Sequence, residues 1–452
     1  MLLIFYLYLT MFLLYISNEV YESDFLKSAI GVIVIVIIAM TIKKAERLYK
    51  WAGITFLVLG SLFFVLYVPN EVTFLHQFGS MSGILSLFFI LPFMSTIIKV
   101  GKYDSVLSGM INRPPQLNSK RLYQRTSIMT YVLTLFLNVA TVPVVVGIVK
   151  RNVQKIHTDV LQHFFAHSLL RAYALVLLWS PTEVIVASTV DLTGQSFMTL
   201  MPTLLGISLF FLLIDWFLHN KRLIEVPVHT ESVISTNPKR FRLKFAQMAT
   251  AILLFLFTLL ALNTLLDQSF TFIVTITIVP FTFLWALSMK KSKRFSFLGK
   301  TYLKGNANQM HGLFFLYLSA GFFVQVFPYS SWFGYLNHVF QMTYIHGSLF
   351  FFYLLIGGCI FVLALVGFPP LVSIAIISPF LIEAIAISPY GVSILLIGVG
   401  VCTVMTGPFN VTPTVLAMQL RTNPYTIIKK NLLFGIGYLL FIVTIAYLIS
   451  VL

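Results

Sequence analysis

Charge is scarce in this chain, and negative charge scarcest. Only 10% of its 452 residues are Asp, Glu, Lys or Arg, and 14 acidic residues stand against 30 basic ones. A soluble domain of this length needs a charged surface. With 58% hydrophobic residues and a mean hydropathy of +0.93, the chain reads as an all-α polytopic membrane protein. Cysteine is nearly absent: Cys359 and Cys402 both lie in apolar stretches, which excludes a disulfide framework or a cysteine metal site. The nine His residues are scattered without ligand spacing, so no metal is expected. There is no phosphate-binding loop, no nucleophile–base arrangement and no loop long enough to house a nucleotide domain. An enzyme is therefore not expected, nor a catalytic residue, nor a cofactor beyond a coupling Na+ or H+.

The basic residues are organised. They fill short loops at Lys43–Lys50, Lys102–Arg125, Lys150–Lys155, Lys221–Lys244, Lys290–Lys304 and Arg421–Lys430. Basic loops stay cytoplasmic, so the +16 net charge marks topology. Nucleic acid would need one continuous basic face and is excluded as a partner. The lipid bilayer of the cytoplasmic membrane is the expected surrounding. Residues 2–16 lack a basic start and a small-residue cleavage site, which predicts a retained helix and not a signal peptide.

With basic loops inside, the chain reads as spans over 2–17, 27–42, 51–68 and 81–100, starting from a cytoplasmic N-terminus. Residues 127–149 are long enough to cross, yet Arg125 precedes them and Lys150 follows. Their centre, Leu137-Asn138-Val139-Ala140-Thr141-Val142-Pro143, is polar and broken by proline. A re-entrant hairpin satisfies both facts, since bare backbone at that depth must be buried in protein or line a cavity. A segment at 160–190, broken at Ser180-Pro181-Thr182-Glu183, goes out, and a helix at 198–218 returns. Residues 219–243 form a polar cytoplasmic linker. The second half repeats the pattern with opposite orientation: helices at 245–264, 268–289 and 311–327, then an extracellular hairpin at 347–378 broken at Gly367-Phe368-Pro369-Pro370. A crossing segment at 383–420 follows, broken at Gly407-Pro408-Phe409-Asn410-Val411-Thr412-Pro413, and a last helix at 431–451 exits to an extracellular C-terminus. The domains are thus an extra N-terminal helix (1–26), a first repeat (27–218), the linker (219–243) and a second repeat (244–452). Inverted repeats of this kind mark secondary transporters. Single-pass helices throughout are the plainer alternative.

The run Leu137–Pro143 resembles the Ser-Asn-Thr hairpin tip of divalent-anion:sodium symporters and the matching segment of arsenite and citrate permeases, within the ion transporter superfamily. Trp179–Ala187 is similar to their proline-containing break, Leu192-Thr193-Gly194-Gln195-Ser196-Phe197 to their next turn, and Gly407–Thr414 to their second break. Leu137 and Val139 stand where the motif has Ser and Thr, and Phe368-Pro369-Pro370-Leu371 lacks the pattern, so substrate and coupling ion stay open. The resemblance implies an elevator-type motion and a homodimer.

Half-helix N-termini favour anions. At the tips and breaks, Asn138, Ala140, Thr141, Thr182, Asn410, Thr412, Pro413 and Thr414 are the candidate substrate contacts. The alternative is that they only satisfy broken backbone. Intramembrane charge is usually functional. Glu183 and Glu383 are the candidates for ion or proton coupling, with capping of the broken helix as the other reading of Glu183. Arg171 is a charged intramembrane candidate that either holds an anion or snorkels to the interface. Asp215 is expected to snorkel or pair with a loop, His163 and His167 to be interfacial, and Tyr and Trp to anchor the interfaces. The expected function is secondary transport of a small organic or inorganic anion. The rivals are a transporter of lipid-like substrates, and a membrane enzyme or assembly partner on the same scaffold.

Overall fold

A computed structural model describes residues 2–103, 118–151, 153, 157–222, 238–345 and 347–452. Every regular element among them is helical. Among the described residues fourteen stretches are long and apolar enough to cross a membrane. The chain is a multi-pass membrane protein, because only a helix satisfies its own backbone in hydrocarbon over such lengths.

The early spans match the hydropathy reading: Leu2–Tyr21, Asp24–Thr41, Arg47–Tyr67, and Ser82–Ile90 running on into Pro92–Gly101. Helix Arg47–Tyr67 packs along His311–Val326 through small residues. A Cβ at Gly53 would stand 2.4 Å from the Phe315 ring, and one at Gly60 would stand 2.8 Å from Phe322. Glycine there lets aromatic rings seat against the helix backbone.

Basic residues gather at one end of the bundle. Lys291 donates to the Val100 carbonyl at 3.0 Å, and Lys304 lies over the Phe5 ring at 5.7 Å. The opposite end holds Glu19, bonded to Ser269 at 3.2 Å, and Asp191, whose carboxylate accepts the first N–H groups of helix Phe270–Ser288.

Several expectations change. Lys290–Lys304 is not a loop: Ser292–Gln309 is a helix that buries Phe295, Gly299, Leu303 and Ala307, four residues apart along one stripe. The chain between 328 and 346, unassigned from sequence, contains helix Ser331–Ile345. The linker is shorter than 219–243, since helices Phe197–Arg222 and Pro238–Leu265 run into it. Its centre, 223–237, lies outside the described residues. Tyrosines are not only interface anchors, for Tyr8, Tyr123, Tyr173, Tyr353 and Tyr438 are fully buried.

Candidate functional site

The segment read as the first hairpin is two helices, Ser119–Leu137 and Thr141–Arg151, separated by a single tight turn over Asn138–Ala140. Both outer ends lie at the basic end of the bundle. Near the start, Tyr123 donates to Asp215 at 2.6 Å. Near the finish, Lys150 donates to the Gln419 carbonyl at 2.8 Å. The chain turns at Asn138, with φ 46° and ψ −130°. Glycine takes that conformation without steric cost, and an L side chain does not.

The second broken hairpin approaches from the other end. Helix Leu349–Val366 starts near Ser450, which bonds Tyr353 at 2.9 Å. The turn is at Gly367, with φ 124°. A Cβ there would meet the Phe409 ring at 3.0 Å, so glycine is required both for its backbone and for the close approach. The return arm is Pro370–Ile377, continued by Ser378–Leu381 and Ile382–Ile387.

Two crossing segments are interrupted beside these turns. The first runs Thr158–Phe165, then a π-helical turn Ala166–Arg171, then Ala172–Leu177, and resumes after a break as Val184–Thr193. The second runs Pro389–Thr406 and resumes as Val411–Leu420. The longer halves hold 20 and 18 residues and span most of the membrane thickness, while the shorter halves hold 10 each. The first short half lies antiparallel to Pro389–Thr406, with Thr193 and Ser393 hydroxyls 2.7 Å apart and Ile185 against Gly400.

Tyr173 is where the two interruptions meet. Its phenol donates to Asn138 Oδ1 in a short hydrogen bond, and the Thr412 hydroxyl stands beside the same phenol. Glu183 lies within electrostatic range of Tyr173 and of Tyr317. Tyr49 reaches the second break from helix Arg47–Tyr67 and donates to the Phe409 carbonyl at 3.2 Å. Asn138 is half-buried and Ala140 exposed, so the first turn faces an opening. Helices Thr141–Arg151 and Val411–Leu420 both begin here, which aims free N–H groups and positive dipole ends at the junction. The Thr141 hydroxyl is buried and has no hydrogen-bond partner among the described residues. An orphaned donor of this kind is costly unless a ligand or water meets it.

The other candidates divide. Asn410 donates to the Thr403 carbonyl at 2.9 Å, and Thr414 to the Asn410 carbonyl at 2.8 Å, so both satisfy broken backbone. Thr182 pairs with Ser180 at 3.2 Å. Pro413 is buried one position beyond Thr412. Sequence reading missed Tyr173, Tyr49 and Tyr317. In a chain with 20 Tyr, nothing in local spacing singles these three out.

Two charged candidates stand elsewhere than expected. Arg171 does not snorkel: it is buried and paired with Asp215 at 2.7 Å. Its Nε donates to Asn431 at 2.9 Å, and its guanidinium lies 4.2 Å from the Phe434 ring centre. Asp215 is correspondingly not a loop partner but a buried carboxylate shared by Arg171 and Tyr123. This clasp joins the first hairpin, the π-helical turn and the last helix of each half. Glu383 does not open the second crossing segment. That helix starts at Pro389, and Glu383 sits on the preceding short helix, bonded to Gln341 at 2.9 Å in an exposed position. The two carboxylates therefore do not converge at one depth.

Glu183 occupies the N-cap position of Val184–Thr193 without closing a cap hydrogen bond. The backbone N–H groups of Val184 and Ile185 face its carboxyl, and no cation pairs with it among the described residues. His163 contacts Asp159 and Lys430, and His167 bonds the Lys430 carbonyl at 3.1 Å. Among the described residues no three His, Cys, Asp or Glu are grouped as metal ligands. A cavity of about 510 Å³ lies away from the junction, between helices Phe197–Arg222 and Leu432–Val451.

No family model matches the chain, and no curated protein does. Among solved structures it is similar to the YdaH transporter of Alcanivorax borkumensis, whose topology is described as unusual. The identity is 12% and the TM-score 0.54, over 89% of this chain and 97% of that one. At that identity the likeness shows a shared fold and nothing of what the chain does.

Proposed function

We propose that the protein is a secondary transporter that binds a small anion, organic carboxylate or inorganic oxyanion, where the first hairpin turn meets the second broken crossing segment. The observation that carries this reading is Tyr173, which joins Asn138 of one to the neighbourhood of Thr412 of the other. Two helix N-termini begin at that junction, and the Thr141 hydroxyl, without a partner among the described residues, lies beside it. Such termini select negative charge. Asn138, Thr141 and Thr412 are the contacts we assign to substrate, with Tyr173 added as a positioning residue. Asn410 and Thr414 hold the break open.

The same reading takes the two halves as inverted repeats. Its support is the pair of interrupted hairpins that enter from opposite ends of the bundle, each beside an interrupted crossing segment. Membership of the ion transporter superfamily, a homodimer built on the scaffold helices, and elevator-like motion belong to this proposal. So does the orientation with basic loops, and the N-terminus, in the cytoplasm and the C-terminus outside, which follows from the basic end of the bundle. Glu183, deep and without a cation among the described residues, is the residue we assign to proton coupling. A greasy second turn favours a second reading: Phe368 packs on Phe56 at 5.7 Å, a surface suited to an amphiphilic substrate.

Uptake and efflux of labelled anions by proteoliposomes, under imposed sodium or proton gradients, tests the proposal. Gradient-driven flux that Asn138→Ala abolishes supports it, and the effective gradient identifies the coupling ion. Flux of no anion in either direction, with flux of lipid-like substrates, overturns it in favour of the second reading.

A further inference from the structure

The 510 Å³ cavity between helices Phe197–Arg222 and Leu432–Val451 plays no part in the transport site. Its walls are aromatic: Phe210 and Phe211 on one helix, Phe434 and Phe441 on the other. Its polar lining consists of His167, Arg171 and Lys430, and no carboxylate is among the lining residues. Arg171 is more than nine-tenths buried. It gives Nη1 to Asp215 and Nε to Asn431, which leaves Nη2 without a hydrogen bond among the described residues. That edge of a mostly buried guanidinium is not sealed in the core, so its donors are open to an anionic acceptor. Lys430 sits at the basic end of the bundle, in the connector that carries Arg421 and Lys429, and its Nζ donates to the exposed Asp159 at 2.7 Å, a solvent-screened partner that an anion at the cavity can share. The outward faces beside the cavity are apolar and exposed, with Leu213 and Phe217 on one helix and Leu433 and Leu440 on the other. The cavity is thus flanked by lipid-type faces, apolar along its length, with the donors of Arg171 and Lys430 at one end.

We infer that this cavity binds an anionic phospholipid, with its phosphate on Lys430 and the free edge of Arg171, and an acyl chain between the four phenylalanines. Basic pockets between spanning helices take anionic headgroups in this way. A soluble phosphate would use the cations and leave the aromatic walls without purpose. The volume lies within the roughly 300–1,000 Å³ of ordinary ligand sites. Because Arg171 of the clasp lines the cavity together with residues of both helices, the bound lipid bridges the last helices of the two halves. The inference is independent of the transported substrate.

The test is native mass spectrometry of the full chain in mild detergent, titrated with phosphatidylglycerol, phosphatidylcholine or inorganic phosphate. Gly437 lines the cavity, and a Cβ there would meet no atom within 4 Å, so Gly437→Leu fills the space without a clash at its root. Wild type is expected to retain phosphatidylglycerol over phosphatidylcholine. Gly437→Leu should lose that retention while keeping its thermal midpoint, and Lys430→Gln should weaken it about fivefold, the effect of one surface cation. Equal retention of the two lipids overturns the inference. So does a Gly437→Leu protein that binds phosphatidylglycerol as wild type does, inorganic phosphate that displaces the lipid at equal concentration, or crosslinking across residue 437 that shows a second copy covering the face.

Discussion

The two halves use one backbone device with different chemistry. Each has a hairpin turned at a positive φ, by Asn138 in the first and Gly367 in the second. Each has a crossing segment broken before a 10-residue half-helix. The first crossing segment carries Arg171, Tyr173, Glu183 and a π-helical turn. Its counterpart, residues 389–420, has no charged residue at all. The first turn offers an amide to a buried phenol, whereas the second presses Phe368 on Phe56 and Gly367 on Phe409. Dipoles are thus duplicated, while side-chain chemistry is concentrated in the first half. The second half contributes close packing, and a short polar run after its break at Asn410, Thr412 and Thr414.

The largest effect should come from the charge that only the first half carries. Arg171→Ala leaves Asp215 buried and uncompensated, which costs about 3–5 kcal/mol. Cys402, buried at 0% exposure in the second crossing segment, makes one weak bond to the Gly435 carbonyl. Cys402→Ala should cost about 1 kcal/mol. Chemical unfolding in detergent compares them. An Arg171→Ala protein as stable as Cys402→Ala removes the asymmetry. The double variant Arg171→Met with Asp215→Leu should recover part of the loss, since it leaves no lone charge.

Transport should show the same inequality. Asn138→Ala removes the amide acceptor of the Tyr173 phenol, a loss of about 1–3 kcal/mol or roughly 5–150-fold in uptake. Phe368→Leu, at the second turn, keeps an apolar contact and should change uptake less than about threefold. Similar losses in initial rate for both variants would make the turns equivalent and sink the comparison. Glu183→Gln should abolish proton-driven accumulation and leave substrate exchange between equal pools intact. Normal accumulation by that variant would take the coupling role from Glu183.

Sequence alone carried the spans and the first turn, because both depend on local signals: hydropathy over a helix length, and basic residues on both flanks of an apolar run. It marked Asn138, Thr141 and Thr412 as candidates because polar residues near proline in hydrocarbon are visible locally. It could not show that Arg171 pairs with Asp215, 44 positions away, or that Tyr173 meets Asn138. Those contacts depend on how helices pack. Glu383 was misplaced because Ser388-Pro389 starts a new helix inside an apolar stretch, and proline at the first helical position was the overlooked mark. Helix Ser292–Gln309 was legible but overlooked. Its stripe of Phe295, Gly299, Leu303 and Ala307 is interleaved with Lys293, Arg294, Lys300 and Lys304.

The two turns also differ in what their backbones tolerate. Gly367→Ala puts a Cβ at φ 124° and 3.0 Å from Phe409, a loss of about 1–3 kcal/mol in stability. At the first turn the effect should reverse and be smaller. Asn138 holds φ 46° and ψ −130°, where glycine fits better than any L residue. Asn138→Gly relieves that strain and forfeits one hydrogen bond, so the unfolding midpoint should move by no more than the equivalent of about 0.5 kcal/mol. Uptake should still fall as far as in Asn138→Ala. That pairing separates the amide from the bend. A variant that keeps its stability and loses transport means the strained asparagine is there for its side chain. Unimpaired transport in Asn138→Gly means the first turn, like the second, serves only to reverse the chain, and the chemical asymmetry between the halves has no part in binding.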